Sequence, residues 1–506
     1  MVCHVTFLPE GKTADVQEGT RISDAGIKAG VKIKLPCAGN GRCGKCMVEV
    51  GNERVLACQT DVYDGMVVTV PDEDSGKVIA AIDHRTEDIG PLSPLSEGFG
   101  LAVDIGTTTV AAEIIDLSTG EVVYRAADMN GQRSRGEDVL ARIEYAGEGG
   151  TKELCDLVID TINGLIDGCG APGFSKDEIR SAYIAGNTAM THLFLGIDPS
   201  PIRYPPFEPV VKDAVITGKE SRLHINPDAK VVCMPSVSSY VGGDITSDIV
   251  DSGMDRDEGL ALLIDVGTNG EVAIGNADML LCCSSSAGPA FEGSQMTSGM
   301  LAKDGAIDSV RIIDGKVHYT VIGGGEPKGI CGSGIIDLVA QLFLAGFLDR
   351  RGNFTEKANA KDGVFTIAGN VVITQSEISN VIMTKAAIYS ASGTMVRSLG
   401  VSFDDLERIY IAGGFGNFID MESAITIGLF PDVDRSKYVY LGNASLSGAK
   451  GALLSGEFRG RVDIAFPKMT YVDLGSDPVF YDEYMSAQFL PHTDDSKFPT
   501  VPTNNF

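Results

Sequence analysis

Three of the chain's eleven cysteines fall within ten residues, "CAGNGRCGKC" at 37–46, and a fourth follows at Cys58. The spacing Cys37-x5-Cys43-x2-Cys46-x11-Cys58 suits four thiolates around one inorganic centre. Plant-type 2Fe–2S clusters use C-x4-C-x2-C with a distant fourth cysteine; the first gap here is one residue longer. Gly39, Gly41 and Gly44 allow positive φ and close approach, so that the loop can aim its N–H groups at the sulfurs. The rival is a structural zinc site, which also uses the C-x2-C step. Zinc sites usually pair two such knuckles, whereas here three ligands share one glycine loop and the fourth stands alone on a later strand.

A second chemistry is written twice. "GLAVDIGTTTVAAEIIDL" runs from Gly100 as apolar strand, Asp104, a Gly-Thr turn and a second strand. "GLALLIDVGTNGEVAIG" repeats this from Gly259, with Asp265 standing 161 residues after Asp104. Two copies, each opening a β-meander, imply a duplicated fold with two lobes. Gly106 and Gly267 let each hairpin backbone approach an anion, and Thr107, Thr108, Thr268 and Asn269 add donors for phosphate oxygens. Asp104 and Asp265 end their strands where they can face a cleft and hold Mg²⁺ or its waters. Glu271 and Glu292 follow the second turn and are candidates to position an attacking water. A third glycine cluster, "IYIAGGFGNFID" at 409–420, would let the backbone at Gly413, Gly414 and Gly416 lie along a flat ligand such as adenosine.

These residues need elements to place them. Two short strands around "EGK", a helix from Ile22 to Gly30, and strands at "MVEV", "VLACQ" and "MVVTV" predict a small unit of about 75 residues carrying the cysteines. Residues 71–98 contain three prolines and no sustained period, and 76–98 are predicted to be a linker, with a short strand or helix at 77–82. Such a linker serves either as a tether that lets the cluster visit two places or as a strap ordered against the next domain. The division is then 1–75 for the cysteine domain, 76–98 for the linker, 99–255 and 256–485 for the lobes, and 486–506 for a flexible tail.

The chain of 506 residues, 43% hydrophobic and 22% charged, has the composition of a multi-domain globular protein. Its net charge of −28 argues against nucleic acid and anionic lipid as partners. Early charges at Glu10 and Lys12, and no run of ~18 apolar residues, argue against a signal peptide or a membrane span and for a cytoplasmic, thiol-reducing compartment.

The two phosphate hairpins and the adenosine motif, in this order, resemble the superfamily of actin, heat-shock chaperone and sugar kinase ATPases. "AYIAGNTAMTHLFLG" at 182–196, "CSSSAGPAFEG" at 283–293 and "GICGSGIIDLVAQLF" at 329–343 look like one branch of it. With the N-terminal "CGKC" unit, residues 1–485 resemble the ATP-dependent reductive activators of corrinoid proteins. The resemblance implies an α+β, β-grasp 2Fe–2S ferredoxin domain followed by an α/β two-lobed ATPase domain, with a 2Fe–2S cluster, ATP and Mg²⁺ as cofactors. It implies one-electron reduction of Co(II) to Co(I) in a corrinoid protein of a methyltransferase system, fed by a low-potential cellular donor, and leaves room for a homodimer. The alternative is an ATPase activator or remodelling factor for another low-potential metalloenzyme, with the cluster as electron donor or redox sensor. Members of the family carry a further domain between ferredoxin and ATPase, for which the linker here is too short. Cys3, Cys155, Cys169, Cys233, Cys282, Cys283 and Cys331 are expected to pack or to serve structure. His192 is expected to be a satisfied core residue, with cobalt ligation as the rival, and Asn187 and Thr188 stand at a strand-to-helix turn near the cleft.

Overall fold

The structure, a computed structural model, describes residues 2–8, 11–31, 33, 46–51, 53–70, 89–205, 207–292, 296–414 and 419–503. The expected short element at 77–82 and the loop holding Cys37 and Cys43 lie outside the described residues.

The N-terminal unit is a five-stranded sheet in the order Lys12–Gln17, Val2–Leu8, Met66–Thr69, Met47–Val50, Glu53–Leu56. Val2–Leu8 and Met66–Thr69 run parallel at its centre, and the helix Ile22–Lys28 covers one face. Period-two alternation makes this possible: Cys3, Val5 and Phe7 are buried while Val2, His4 and Leu8 are exposed. This is the expected β-grasp.

The two lobes repeat one topology. In the first, Phe99–Ile105, Thr109–Asp116 and Val122–Met129 form an antiparallel meander. Ile179–Gly186 then pairs parallel to Phe99–Ile105, and Lys230–Cys233 parallel to Ile179–Gly186. In the second, Ala261–Val266, Gly270–Gly275 and Leu280–Ser285 form the meander, followed by parallel Arg408–Ala412 and Tyr438–Gly442. Extra strands differ. Ala214–Thr217 extends the first sheet beyond Lys230–Cys233, and Met469–Tyr471 extends the second beyond Leu280–Ser285.

The central strands are apolar on both faces because both faces are covered. Leu101, Val103 and Ile105 point into the first lobe's outer core with Val158 and Ile162 of the helix Thr151–Asp167. Ala102, one residue out of phase, points into a middle core shared with Leu263 and Ala273 of the second lobe. Two helices fill that middle core: Gly243–Ser252, which follows the last parallel strand of the first lobe, and Ala444–Leu454, which follows that of the second. They pack backbone to backbone, since a Cβ on Gly448 would stand 2.6 Å from Ser247 Cβ.

One pair of alternatives is decided and one expectation needs correction. The described part of the linker, 89–98, is a strap: Ser93 N donates to Leu454 O at 2.9 Å, Gly456 N to Ser93 Oγ at 2.7 Å, and Arg459 Nη2 to Ser93 O at 2.7 Å. The C-terminal segment is no loose tail over its described length. Leu490, His492, Phe498 and Val501 are buried, and the rings of His492 and Phe498 lie 5.6 and 5.3 Å from Tyr389 in the helix Gln375–Ser398. The fully buried Lys385 grips the segment by donating to Pro491 O at 2.6 Å and to Phe489 O. Proline and polar composition suggested disorder, but the spaced apolar anchors give the segment enough burial to hold it.

Candidate functional site

The hairpin Met47–Val50/Glu53–Leu56 brings Cys46 and Cys58 together at its open end, with Ala57 N donating to Cys46 O at 2.9 Å. Their sulfurs stand 3.2 Å apart, buried and not disulfide-bonded. Two sulfurs on one tetrahedral ion with bonds of about 2.3 Å would lie roughly 3.8 Å apart, so the pair, at 3.2 Å, would have to part slightly to share a centre. Gln59 Nε2 reaches Cys58 Sγ at 3.6 Å.

The second site is a cleft between the lobes, lined by both Gly-Thr hairpins. The hairpins meet tip to tip: Thr108 Oγ1 and Thr268 Oγ1 are 3.3 Å apart. Gly106 is required because a Cβ there would stand 2.6 Å from Thr109 O. Asn130 Nδ2 donates to Gly106 O at 2.9 Å, Asn187 Nδ2 to Thr107 Oγ1 at 3.2 Å, and the buried Arg142 to Thr107 O. Gly267 N donates to Asn269 O at 3.1 Å, closing the second turn. Gly413, at φ +106°, lets the chain pass Asp265; its Cβ would fall 2.4 Å from Val266 O and 2.9 Å from Asp265 Oδ1. Gly414 lines the same cleft. Gly416 lies outside the described residues, as does the side chain of Glu292, whose backbone ends the turn Pro289–Glu292.

Five carboxylates converge here: Asp104, Asp244, Asp248, Asp265 and Glu271. Asp104 accepts from Asn443 Nδ2 at 2.9 Å and Ser445 Oγ at 3.1 Å, yet burial still pushes it up to about 6. Burial, followed by repulsion from Asp244 and Asp104, raises Asp265 to about 8, and its hydrogen-bonding neighbour is the carboxyl of Asp248. Burial also pushes Glu271 well above the ordinary range, although Ser284 and Asn269 bond it. Asp248 meets no N–H donor and faces Asp265, Asp244, Asp104 and Asp251. Hard oxygen donors held this close without cations of their own suit Mg²⁺. Among the described residues no three acidic, His or Cys side chains are preset to hold an ion directly.

Sequence reasoning found both hairpins, Asp104, Asp265, Glu271, Gly413 and Gly414, but missed Asp244, Asp248, Asn443 and Ser445. All four belong to the two middle-core helices or their caps, and their sequence signal was "GGD" at 242–244 and "GNAS" at 442–445. His192 is a core residue: Nδ1 bonds Thr188 O at 2.7 Å, Nε2 accepts from Val210 N at 3.0 Å, and burial lowers its pKa. Thr188 begins a helix capped by Asn187. Cys331 precedes the helix Gly332–Leu344 beside the cleft without a side-chain capping bond, and burial raises its thiol as it does those of Cys282 and Cys283.

A 2Fe–2S ferredoxin unit joined to a two-lobed ATPase-type domain is thus the class that fold and site define. Comparisons with known proteins agree in order and extent. Residues 3–73 match a 2Fe-2S iron-sulfur cluster binding domain, 99–257 the RACo middle region, and 259–502 the C-terminal domain of RACo, the ASKHA domain. The corrinoid activation enzyme RamQ of Eubacterium limosum is 32% identical over 574 positions, covering 93% of this chain and 96% of that one. A [Co(II) methylated amine-specific corrinoid protein] reductase of Methanosarcina barkeri is 26% identical over 70% of each chain. The solved structure of a reductive activator for corrinoid, iron-sulfur protein superposes with a TM-score of 0.77 at 35% identity, over 99% of this chain and 100% of that one. The chain belongs to this family, the RACo-type reductive activators of corrinoid proteins. Its first lobe is the family's middle region, and the alignment with the E. limosum enzyme exceeds the 506 residues here, so that relative carries residues this chain lacks.

Proposed function

We propose that this protein is an ATP-dependent reductive activator that delivers one electron to the Co(II) of a corrinoid protein, restoring Co(I) for methyl transfer. The observation that carries this reading is one chain holding a 2Fe–2S domain and a two-hairpin carboxylate cleft, aligned end to end with a corrinoid activation enzyme. Cys37, Cys43, Cys46 and Cys58 would hold the cluster, whose chemistry is to carry one electron at a low potential.

Plant-type clusters sit near about −400 mV, and Co(II) reduction asks for a more negative couple. Each ~59 mV is tenfold in a one-electron equilibrium, so a gap of a few hundred millivolts is on the order of 5–8 kcal/mol. Nucleotide binding and hydrolysis can cover that gap by biasing which state of the partner is held. In the cleft, Gly106, Thr107 and Thr108 face Gly267, Thr268 and Asn269 to grip phosphate oxygens from both lobes. Asp104 and Asp265 would hold Mg²⁺ through its waters, and Gly413, Gly414 and Gly416 would lie along the adenosine. A grip from both sides draws the lobes onto the nucleotide, which is how this chain can make binding of the partner depend on ATP. A low-potential cellular protein as donor and a cytoplasmic setting complete the proposal; among the described residues no helix is long and apolar enough to cross a membrane.

The test is anaerobic reduction of a cognate Co(II) corrinoid protein followed by absorbance. Cobalt should be reduced only with the donor, this protein and Mg-ATP together. Cys43→Ser should abolish the reduction and the cluster absorbance while ATP turnover stays within about twofold. ATP turnover indifferent to the corrinoid protein would favour the redox-sensor alternative instead.

A further inference from the structure

The described residues that line the cleft include carboxylates from both lobes and neither Lys nor Arg. A nucleoside triphosphate entering the cleft adds further negative charge, which a metal ion and the protein must meet between them. Directly behind the lining stands Arg142, fully buried in the helix Val139–Tyr145. We propose that Arg142 is a positioning residue for phosphate, whose charge acts through the Thr107–Thr108 peptide to make the first hairpin a stronger anion grip. The inference rests on the ATP-binding reading of the cleft.

The hairpin's own hydrogen bonds are the first argument. Three successive carbonyls are held from behind. Gly106 O accepts from Asn130 Nδ2 at 2.9 Å, Thr107 O from Arg142 Nη2, and Thr108 O from Asn130 N at 2.9 Å. In a planar trans peptide the N–H points opposite to the C=O. The amide hydrogens of Thr107 and Thr108 are therefore turned away from Asn130 and Arg142, toward the cleft that both threonines line. Successive N–H groups turned to one side make an anion-binding concavity. A guanidinium donating to Thr107 O polarises that peptide, so the N–H of Thr108 becomes a stronger donor.

The charge itself is the second argument, because bracing alone does not call for one. Besides Thr107 O, Arg142 donates to Gly136 O at 2.9 Å and to Gln132 Oε1 and Met190 Sδ, each at 3.2 Å. All four are neutral, so these contacts solvate the cation without cancelling it. Burying a guanidinium is costly. A neutral amide braces the neighbouring carbonyl without that cost, as Asn130 does for Gly106 O. The second hairpin leans on an aliphatic side chain, with Ile388 Cγ1 2.6 Å from where a Cβ on Gly270 would stand. What distinguishes the first hairpin is thus a cation one peptide away from the phosphate side, and that is the use the charge has.

The experiment takes the full-length, cluster-loaded protein and measures the Kd of adenosine, Mg-ADP and a non-hydrolysable Mg-ATP analogue by displacement of a fluorescent nucleotide, with Tm to confirm folding. Arg142→Gln keeps a donor for Thr107 O and removes the charge, whereas Arg142→Lys keeps the charge and removes the fork. Arg142→Gln should weaken the ATP analogue about tenfold, weaken ADP less, and leave adenosine within about twofold. Arg142→Lys should recover most of that loss. Gln132→Glu is a second route, since it sets a carboxylate beside Arg142 and leaves the bond to Thr107 O in place. It should weaken the analogue about fivefold, again with adenosine within about twofold.

Equal losses in Arg142→Gln and Arg142→Lys, or adenosine weakening in step with the analogue, make Arg142 a brace only and overturn the proposal. Unchanged affinity for the analogue in Arg142→Gln overturns it as well. Where the Arg142 variants do not fold, Gln132→Glu decides, and full affinity for the analogue there overturns the role of the charge. If wild type binds no nucleotide, the ATP-binding reading falls and takes this one with it.

Discussion

The two phosphate hairpins share a backbone and differ in what stands behind them. The first is braced by side chains of its own lobe, with Asn130, Asn187 and the buried Arg142 bonded to its turn, while Asp104 is tied to Asn443 and Ser445. The second closes through its own Gly267–Asn269 bond and leans on the helix Gln375–Ser398, where a Cβ on Gly270 would stand 2.6 Å from Ile388. Its Asp265 faces Asp248 and sits near 8, whereas Asp104 sits near 6. The two hairpins thus share one anion-binding geometry, but the aspartate of the first is held by hydrogen-bond donors while that of the second is held among carboxylates.

The sharpest way to break this contrast is at its two aspartates. Asp104→Asn and Asp265→Asn should each cut ATP turnover by roughly 100-fold or more, as loss of a transition-state electrostatic contact does. They should part in thermal melts of the nucleotide-free protein. Asp265→Asn should raise Tm by relieving repulsion, while Asp104→Asn, which upsets two good hydrogen bonds, should not. Equal shifts in Tm would erase the asymmetry.

Next in size is the bracing itself. Arg142→Met should cost about 3 kcal/mol in denaturant unfolding, because buried carbonyls at Gly136 and Thr107 lose a charged donor. Ile388→Val behind the second hairpin should cost only about 1 kcal/mol. A reversed order would show that the second hairpin is the braced one. Gly413→Ala, with positive φ and its Cβ against Val266 O, should weaken nucleotide affinity roughly tenfold by isothermal titration, within the 1–3 kcal/mol that such strain costs.

The smallest effect is in pH. Asp104, Asp244 and Asp265 hold values of about 6, 7 and 8 in the fold against 3.8 unfolded, so the folded chain binds more protons in between. Stability of the nucleotide-free protein should therefore fall as pH rises from about 5 to 8, and Mg-ADP should flatten that slope. Glu483, held at about 2 in the fold, acts in the opposite sense but only below its unfolded 4.5, outside this window. Calorimetric melts across the range check the sign.

Local features were legible and distant ones were not. Strand, Asp, Gly-Thr turn and strand are contiguous, so Asp104 and Asp265 could be placed from spacing alone. Asn443 is 339 residues from the Asp104 it binds, and Asp244 reaches the cleft through a helix that leaves its own sheet for the middle core. Only the paired glycines at 242–243 marked that crossing, and their reason is a close approach to Asn187 and Met234 that no periodicity encodes. The C-terminal segment misled for the opposite reason: its composition is that of a tail, while its partner, the fully buried Lys385, sits inside a helix more than a hundred residues earlier.

The anchoring of Ser93 to the helix Gly456–Ala465 sets a leash length for the electron carrier. With the strap nailed down from residue 89, only 71–88 separate the ferredoxin sheet from a fixed post. Eighteen residues at ~3.3–3.6 Å each cannot span more than roughly 60 Å. Chain length alone therefore sets an upper bound on how far the cluster can lie from the nucleotide domain, whatever path those residues take.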